Sequence, residues 1–191
     1  EVTMRSIIFV LVAIVGFSSA TTGFDVVEAV TTTKFQCMKN AGYSFFIARV
    51  FRSNGVVDTT GVQNVRNAWT GGMAHVDAYI FPCTTCSASA TAQANQAVAA
   101  LNGVQYGQMW IDVEIYQWSA NLQTNRNFIQ EMGNALTSMG VNWGIHSNYN
   151  NWKTIVGLDW TAMSSRPLWW ASYNGQANFN NFQPFGGWTK P

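Results

Sequence analysis

Charge is scarce in this sequence. Of its 191 residues, 10% are Asp, Glu, Lys or Arg, and ten basic residues almost balance nine acidic ones, for a formal net charge of +1. An average soluble domain carries roughly 25% charged residues. The basic residues stand singly, without a Lys/Arg run, which argues against nucleic acid as a partner. Disordered chains combine high charge with few apolar residues; here 48% of residues are apolar, which excludes that class. Metal ligands are scarce too, with three Cys and two His in the chain. A structural zinc site needs about four ligands. Cys83-Thr84-Thr85-Cys86 has the form of a zinc half-site, a redox pair or a local disulfide. Only Cys37, His75 and His146 remain to complete a metal site, and none has ligand spacing. The pair therefore reads as a structural disulfide or free thiols, one Cys is left without a partner, and neither metal nor cofactor is expected. No Ser-His-Asp or Cys-His order stands out. No glycine-rich loop follows the first strand, because Gly23-Phe24-Asp25 runs on into Val-Val-Glu, which weakens a nucleotide-binding doubly wound fold. Internal repeats and low-complexity linkers are absent, and the length suits one domain with a full-sized core.

Aromatic residues are plentiful, at 14% with nine Trp. Composition alone favours a large aromatic core. The sharper alternative is a sugar-binding cleft, since aromatic faces stack on the C–H faces of pyranose rings.

The apolar run at the N-terminus has the form of a secretory leader. Met4-Arg5 starts it, Ile7–Phe17 is its apolar stretch, and Ser18-Ser19-Ala20 ends it with small residues. The run falls short of the ~20 residues that a spanning helix requires. Cleavage is expected after Ala20, with Glu1–Thr3 as upstream read-through. Residues 1–20 are thus set apart from a single domain over residues 21–191. The mature chain is expected to be a monomer, without a membrane anchor, outside the cell or in the lumen of a digestive vacuole.

Beyond residue 20, short apolar segments alternate with longer helical ones. Strands are predicted at Gly23–Val27, Ser44–Phe51, Val76–Phe81, Gln108–Ile115, Val141–Ser147 and Leu168–Tyr173. Helices are predicted at Thr31–Asn40, Val62–Trp69, Ser87–Leu101, Leu122–Met139 and Asn150–Val156. The Asn-, Gly- and Phe-rich remainder reads as loop. This alternation implies βαβ units and a parallel sheet, and several strands are apolar on both faces, as such sheets demand. The expected class is α/β, an irregular TIM-like β/α barrel. Six strands are visible where a closed barrel usually has about eight.

Trp110-Ile111-Asp112-Val113-Glu114-Ile115 carries the chemistry. Side chains alternate along a strand, so Ile111, Val113 and Ile115 are expected to pack against helices. Asp112 and Glu114 would then face the barrel axis, with Cβ atoms roughly 6–7 Å apart. Two carboxylates in an apolar interior are costly unless they are used. Repulsion and burial should keep one of them neutral beside an ionised partner, the division of labour of a glycosidase. Asp112 is expected to be the ionised member and Glu114 the acid. Asp25, ending the first strand, is a second candidate, because barrel enzymes collect functional groups at strand ends.

At these residues the chain resembles the glycoside hydrolases of family 25, the Chalaropsis-type lysozymes, in their eukaryotic, protist- and nematode-like branch. The matching pieces are Gly23-Phe24-Asp25-Val26, Phe45-Phe46-Ile47-Ala48-Arg49, Asp77-Ala78-Tyr79-Ile80-Phe81-Pro82-Cys83 and Trp110-Ile111-Asp112-Val113-Glu114. Gly144-Ile145-His146-Ser147-Asn148-Tyr149 with Trp152, and Pro167-Leu168-Trp169-Trp170-Ala171-Ser172-Tyr173, complete the set over residues 23–191. The resemblance implies an N-acetylmuramidase that cleaves the β-1,4 bond between N-acetylmuramic acid and N-acetylglucosamine in bacterial peptidoglycan, and so a role in defence against bacteria. It implies Glu114 as proton donor and Asp112 as nucleophile or as the group orienting the substrate's acetamido. Asp25 would line the floor, and Tyr79, Trp169, Tyr173 and Ser147 would contact sugar. The chain departs from the family at His146, where Tyr is frequent, and at Val27, where Ser is frequent. It also stops before two further strands, the last of which carries another Asp in the family. A family 18 chitinase-like glycosidase is the nearest rival, but the extra Asp residues of its motif would fall at Trp110 and Gly107. A non-catalytic sugar-binding barrel would need neither carboxylate, and a purely structural secreted domain has only the Asn-rich tail in its favour.

Overall fold

The computed structural model describes residues 21–176 and 178–191. The expected leader, residues 1–20, lies outside the described residues. Among them, no helix is long and apolar enough to cross a membrane. The elements run β1 (Thr22–Val26), α1 (Thr32–Asn40), β2 (Tyr43–Phe51), α2 (Thr59–Thr70), β3 (His75–Ile80), α3 (Ala90–Ala100), β4 (Met109–Asp112), α4 (Leu122–Ser138), β5 (Trp143–Ser147), α5 (Tyr149–Ile155) and β6 (Leu168–Trp170). The six strands form one parallel sheet whose spatial order is their sequence order.

Local chemistry sets the helix ends. Thr31, Asp58, Ser89, Asn121 and Asn148 cap α1 to α5, each accepting a bond from a backbone N–H of the first turn. Gly42 and Gly140 follow α1 and α4 with φ of 94° and 70°, a region in which only glycine sits without strain. Gly61 has a different task. A Cβ there would lie 1.6 Å from the Arg49 carbonyl oxygen, so its absence lets α2 press directly on β2.

The two faces of the sheet differ. Phe46, Ala48, Val50, Val76, Ala78, Met109, Ile111 and Ile145 are fully or almost fully buried and join the helices in one apolar core. Phe35, the buried residue of α1, meets the Phe46 ring at 4.8 Å between centroids. Burying such a side chain contributes roughly 1.5–3 kcal/mol. The alternate residues form rows across the other face. Asp25, Ile47 and Asp77 are in register, then Arg49, Tyr79, Trp110 and Gly144, then Asp112, His146 and Trp169.

Three strands are shorter than expected; β5 starts at Trp143 rather than Val141. β4 ends at Asp112 rather than Ile115. Val113 N–H still donates to the His146 carbonyl, but beyond it side chains take the backbone bonds. Ser147 donates to the Val113 carbonyl at 2.8 Å, Trp118 Nε1 donates to the Glu114 carbonyl, and Ile115 N–H donates to Asn151. The chain therefore peels off the sheet, and Ile115, expected to pack inward, is 58% exposed. Among the described residues β6 pairs only with β5; it is three residues long, so Tyr173 lies beyond it. The tail is turn-rich as expected, yet it is packed: Phe185 and Trp188 bury against Trp152, and Trp188 Nε1 donates to the Arg166 carbonyl at 2.8 Å. Cys83 and Cys86 form a disulfide in the loop after β3, leaving Cys37 free and exposed.

Candidate active site

Asp112 is the last residue of β4, and Glu114 follows on the segment that leaves the sheet. The alternation that put both on one face holds this far, for Val113 between them is fully buried in the core. Their surroundings are unequal. Asp112 is 5% exposed, and among the described residues its Oδ1 lacks a hydrogen-bond partner. The Glu114 side chain is 31% exposed at the strand-end opening. The third member of the group is His146 on β5, directly in register with Asp112. Its Nε2 lies 3.6 Å from Glu114 Oε1, and its Nδ1 lies 2.9 Å from the Trp169 carbonyl oxygen. A carbonyl can only accept, so Nδ1 carries a hydrogen and Nε2 faces the carboxylates.

The expected division of protons is reversed. Burial pushes the Asp112 carboxyl up to about 7, and the nearby His146 only partly offsets it. The imidazole of His146 holds Glu114 below its ordinary value despite partial burial. For His146 itself burial works against the charged ring, but Glu114 and Asp112 outweigh it and raise its pKa. Two adjacent acids suggested that Asp112 would hold Glu114 protonated. The structure instead gives the deeper carboxyl the proton and leaves the outer one ionised beside an imidazole, because desolvation acts on Asp112 and a cation partner acts on Glu114. His146, which sequence reasoning set aside, is therefore part of the site. The alternation 144-146 along β5 was visible; the pairing of His146 with Asp112 needed the register.

Asp25 belongs to the same field. Partial burial raises its carboxyl, His146 lowers it, and Glu114 raises it further. Tyr79 is buried beside Trp169, with ring centroids 6.1 Å apart. Trp169 also lies 4.0 Å from the His146 ring and 6.0 Å from Trp110, so it packs the site from the β6 side. Trp110 is fixed in turn by Asp77, which accepts from its Nε1 and from Gln108 N–H, both at 3.0 Å. Tyr173 stands apart from this packed group and is 88% exposed. Ser147 departs from expectation. It is fully buried and its hydroxyl is committed to Val113, so it shapes the end of β4 and presents nothing to a sugar.

A cleft of about 530 Å³ around residues 164–168 and 187–191 contains none of these acids. A smaller one of about 290 Å³, between Asn148, Tyr149, Trp170, Tyr173, Asn181 and Gln183, opens at the C-terminal ends of β5 and β6. Carboxylates at strand ends, flanked by tyrosine and tryptophan, suit general acid chemistry on a sugar bond.

Comparison with known proteins decides the family. The family model described as "Lysozyme-like protein 1" matches residues 17–191. "Lysozyme-like protein 5" of Caenorhabditis elegans is 45% identical over 91% of this chain and 82% of its own length. "Probable GH family 25 lysozyme 2" of Dictyostelium discoideum is 38% identical over the same shares of each. The chain belongs to the family 25 lysozymes. The structure of the family 25 lysozyme from Aspergillus fumigatus superimposes with a TM-score of 0.70 over 88% of this chain and 83% of that one, at 17% identity. That likeness identifies the curved parallel sheet as part of the family's TIM-like α/β barrel. As a family 25 lysozyme the chain is a glycoside hydrolase, of the protist-like branch. Asp112, Glu114 and His146 are then the polar centre of a hydrolase fold.

Proposed function

We propose that this chain is the catalytic domain of a secreted muramidase that hydrolyses the β-1,4 bond between N-acetylmuramic acid and N-acetylglucosamine in bacterial peptidoglycan, with retention of configuration. The observation that carries this reading is the convergence of Asp112, Glu114 and His146 at the strand ends, their ligand atoms within 4.8 Å of one another. Glu114 is the outer and longer carboxyl and reaches the glycosidic oxygen. Ionised in the free site, it takes up the proton of the adjoining His146 imidazolium and passes it to that oxygen as positive charge develops at the anomeric carbon. Asp112, buried behind it and holding its proton, orients the acetamido group of the substrate, and in its ionised form can steady the developing charge. Asp25 lines the floor, while Tyr79, Trp169 and Tyr173 contact the sugar. The domain acts as a monomer on residues 21–191 after removal of residues 1–20, outside the cell or in a digestive vacuole.

The test is turnover of peptidoglycan by the complete protein. Glu114→Gln keeps the shape and removes the acid, and should lower turnover by ~10²–10⁴ with binding nearly intact. Proton NMR of the nascent reducing end should show the β anomer first. Inversion, or near-normal turnover by the variant, would remove Glu114 from this role. Sequencing of the protein secreted by a eukaryotic host should begin at Thr21.

A further inference from the structure

The polar centre has the composition of a cation site as well as of a hydrolase. Asp112, Glu114 and His146 each offer one ligand atom, and these atoms lie within 4.8 Å of one another. Two details go beyond a cluster of acids. Asp112 is 95% buried with one carboxylate oxygen in the group, and among the described residues its Oδ1 has no hydrogen-bond partner. A buried carboxylate oxygen left in that state is costly until a donor or cation meets it. The second detail is the orientation of His146. Its Nδ1 hydrogen is held by the Trp169 carbonyl, so in the neutral ring the lone pair is on Nε2, which faces Glu114 Oε1 at 3.6 Å. A carbonyl bonded to the far nitrogen is how metal-binding histidines are commonly fixed.

We propose that Asp112, Glu114 and His146 bind one divalent transition-metal ion of the Zn²⁺ class. Zinc donors 2.0–2.2 Å from the ion stand about 3.3–3.6 Å apart in a tetrahedron. The Nε2–Oε1 distance of 3.6 Å already meets this spacing. Glu114 is partly exposed, so its side chain can turn to complete the set. The fourth position is left to water. Two carboxylate oxygens and one imidazole favour Zn²⁺ over Mg²⁺ or Ca²⁺, which prefer six or more oxygens. Asp25 adds negative charge nearby, and the charge of Arg49 is tied to Asp58 at 2.8 Å. The metal takes the place of the protons these groups otherwise share. If the site also works as the proposed muramidase, ion and glycan compete for the same carboxylates; that consequence rests on the functional reading, whereas binding of the ion does not.

The experiment is calorimetric titration of ZnCl₂ into the whole chain carrying Cys37→Ser, which removes the exposed thiol. At neutral pH one ion per chain should bind with micromolar affinity, and Mg²⁺ should give no heat. His146→Gln should weaken binding by roughly 100-fold or more, since losing even an outer-sphere partner costs about 10–100-fold. Glu114→Gln, altering a partly exposed side chain, should weaken it about tenfold or more and serves if His146→Gln fails to fold. No binding at millimolar Zn²⁺, or undiminished binding by both variants, overturns the proposal; the second result would point to His75 and Asp77. In parallel, Zn²⁺ should suppress peptidoglycan turnover and a chelator should restore it. Turnover unchanged at saturating Zn²⁺ overturns the overlap of the two sites. Zn²⁺ binding that both variants weaken, in a protein that never cleaves peptidoglycan, supports the metal site and removes the muramidase reading alone.

Discussion

Asp58 and Asp112 are the same residue in nearly the same degree of burial, at 0% and 5% exposure. Asp58 caps α2 and accepts from Arg49 Nε at 2.8 Å and Arg52 Nη2 at 2.7 Å. Burial works against its charge, but the two guanidiniums prevail and hold its carboxyl below the ordinary range. Asp112 has no such partner, and burial carries its carboxyl up to about 7. The fold satisfies one buried carboxylate and leaves the other short of hydrogen bonds at the opening. The first stabilises the junction of β2 and α2; the second is available to a ligand.

Substitution should separate these roles. The largest effect is expected from Asp112→Asn, which should reduce peptidoglycan turnover by ~10²–10⁴. The melting temperature should stay the same or rise, because a costly buried carboxyl is removed. A large loss of stability would show that Asp112 is structural after all. Asp58→Asn should do the opposite, costing about 2–4 kcal/mol through lost charged hydrogen bonds and a weakened cap, with turnover per folded molecule little changed. Chemical denaturation measures that loss, and a cost below about 0.5 kcal/mol would place the pair among inert surface bridges.

Acid should expose the same contrast. The Asp58 carboxyl is lowered in the folded state, so the unfolded chain binds its proton first as pH falls. Its contribution is complete above the unfolded value of about 4 and disappears as pH drops through the lower folded value. Wild-type stability should therefore fall more steeply below about pH 4 than that of Asp58→Asn, as read from denaturation midpoints across that range. Parallel curves would mean that Asp58 is not the group responsible. The smallest effect is expected at Ser147→Ala. It removes the 2.8 Å bond to the Val113 carbonyl and should cost about 1 kcal/mol, with turnover reduced only through a looser end of β4. A change in sugar affinity without any change in stability would return Ser147 to the list of ligand contacts.

The alternation of short and long segments made the parallel order of the strands legible, and the two-residue period placed Asp112 and Glu114 on one face. The end of β4 was not legible. It depends on Ser147, Asn151 and Trp118 taking backbone bonds, and the first two lie more than thirty positions along the chain. The proton assignment failed for a related reason. Neighbouring acids are visible in a sequence, but the imidazole that decides between them arrives from the next strand, in register with Asp112. Tyr79 and Trp169 were recognised through family motifs, and their mutual packing emerged only with the sheet. Asp58 gave no signal because its partners, Arg49 and Arg52, look like scattered surface charges until β2 turns into α2.

The bond from His146 to residue 169 ends on a backbone oxygen rather than on the tryptophan side chain. Side-chain replacement at position 169 can therefore change the aromatic packing while the acceptor that orients the imidazole remains. Evolution is free to retune the aromatic surface of β6 at this position without choosing the ring's tautomer anew. Loss of that orientation would require the edge strand itself to shift, so the protonation geometry of the site is inherited from strand pairing and is insulated from most point mutations.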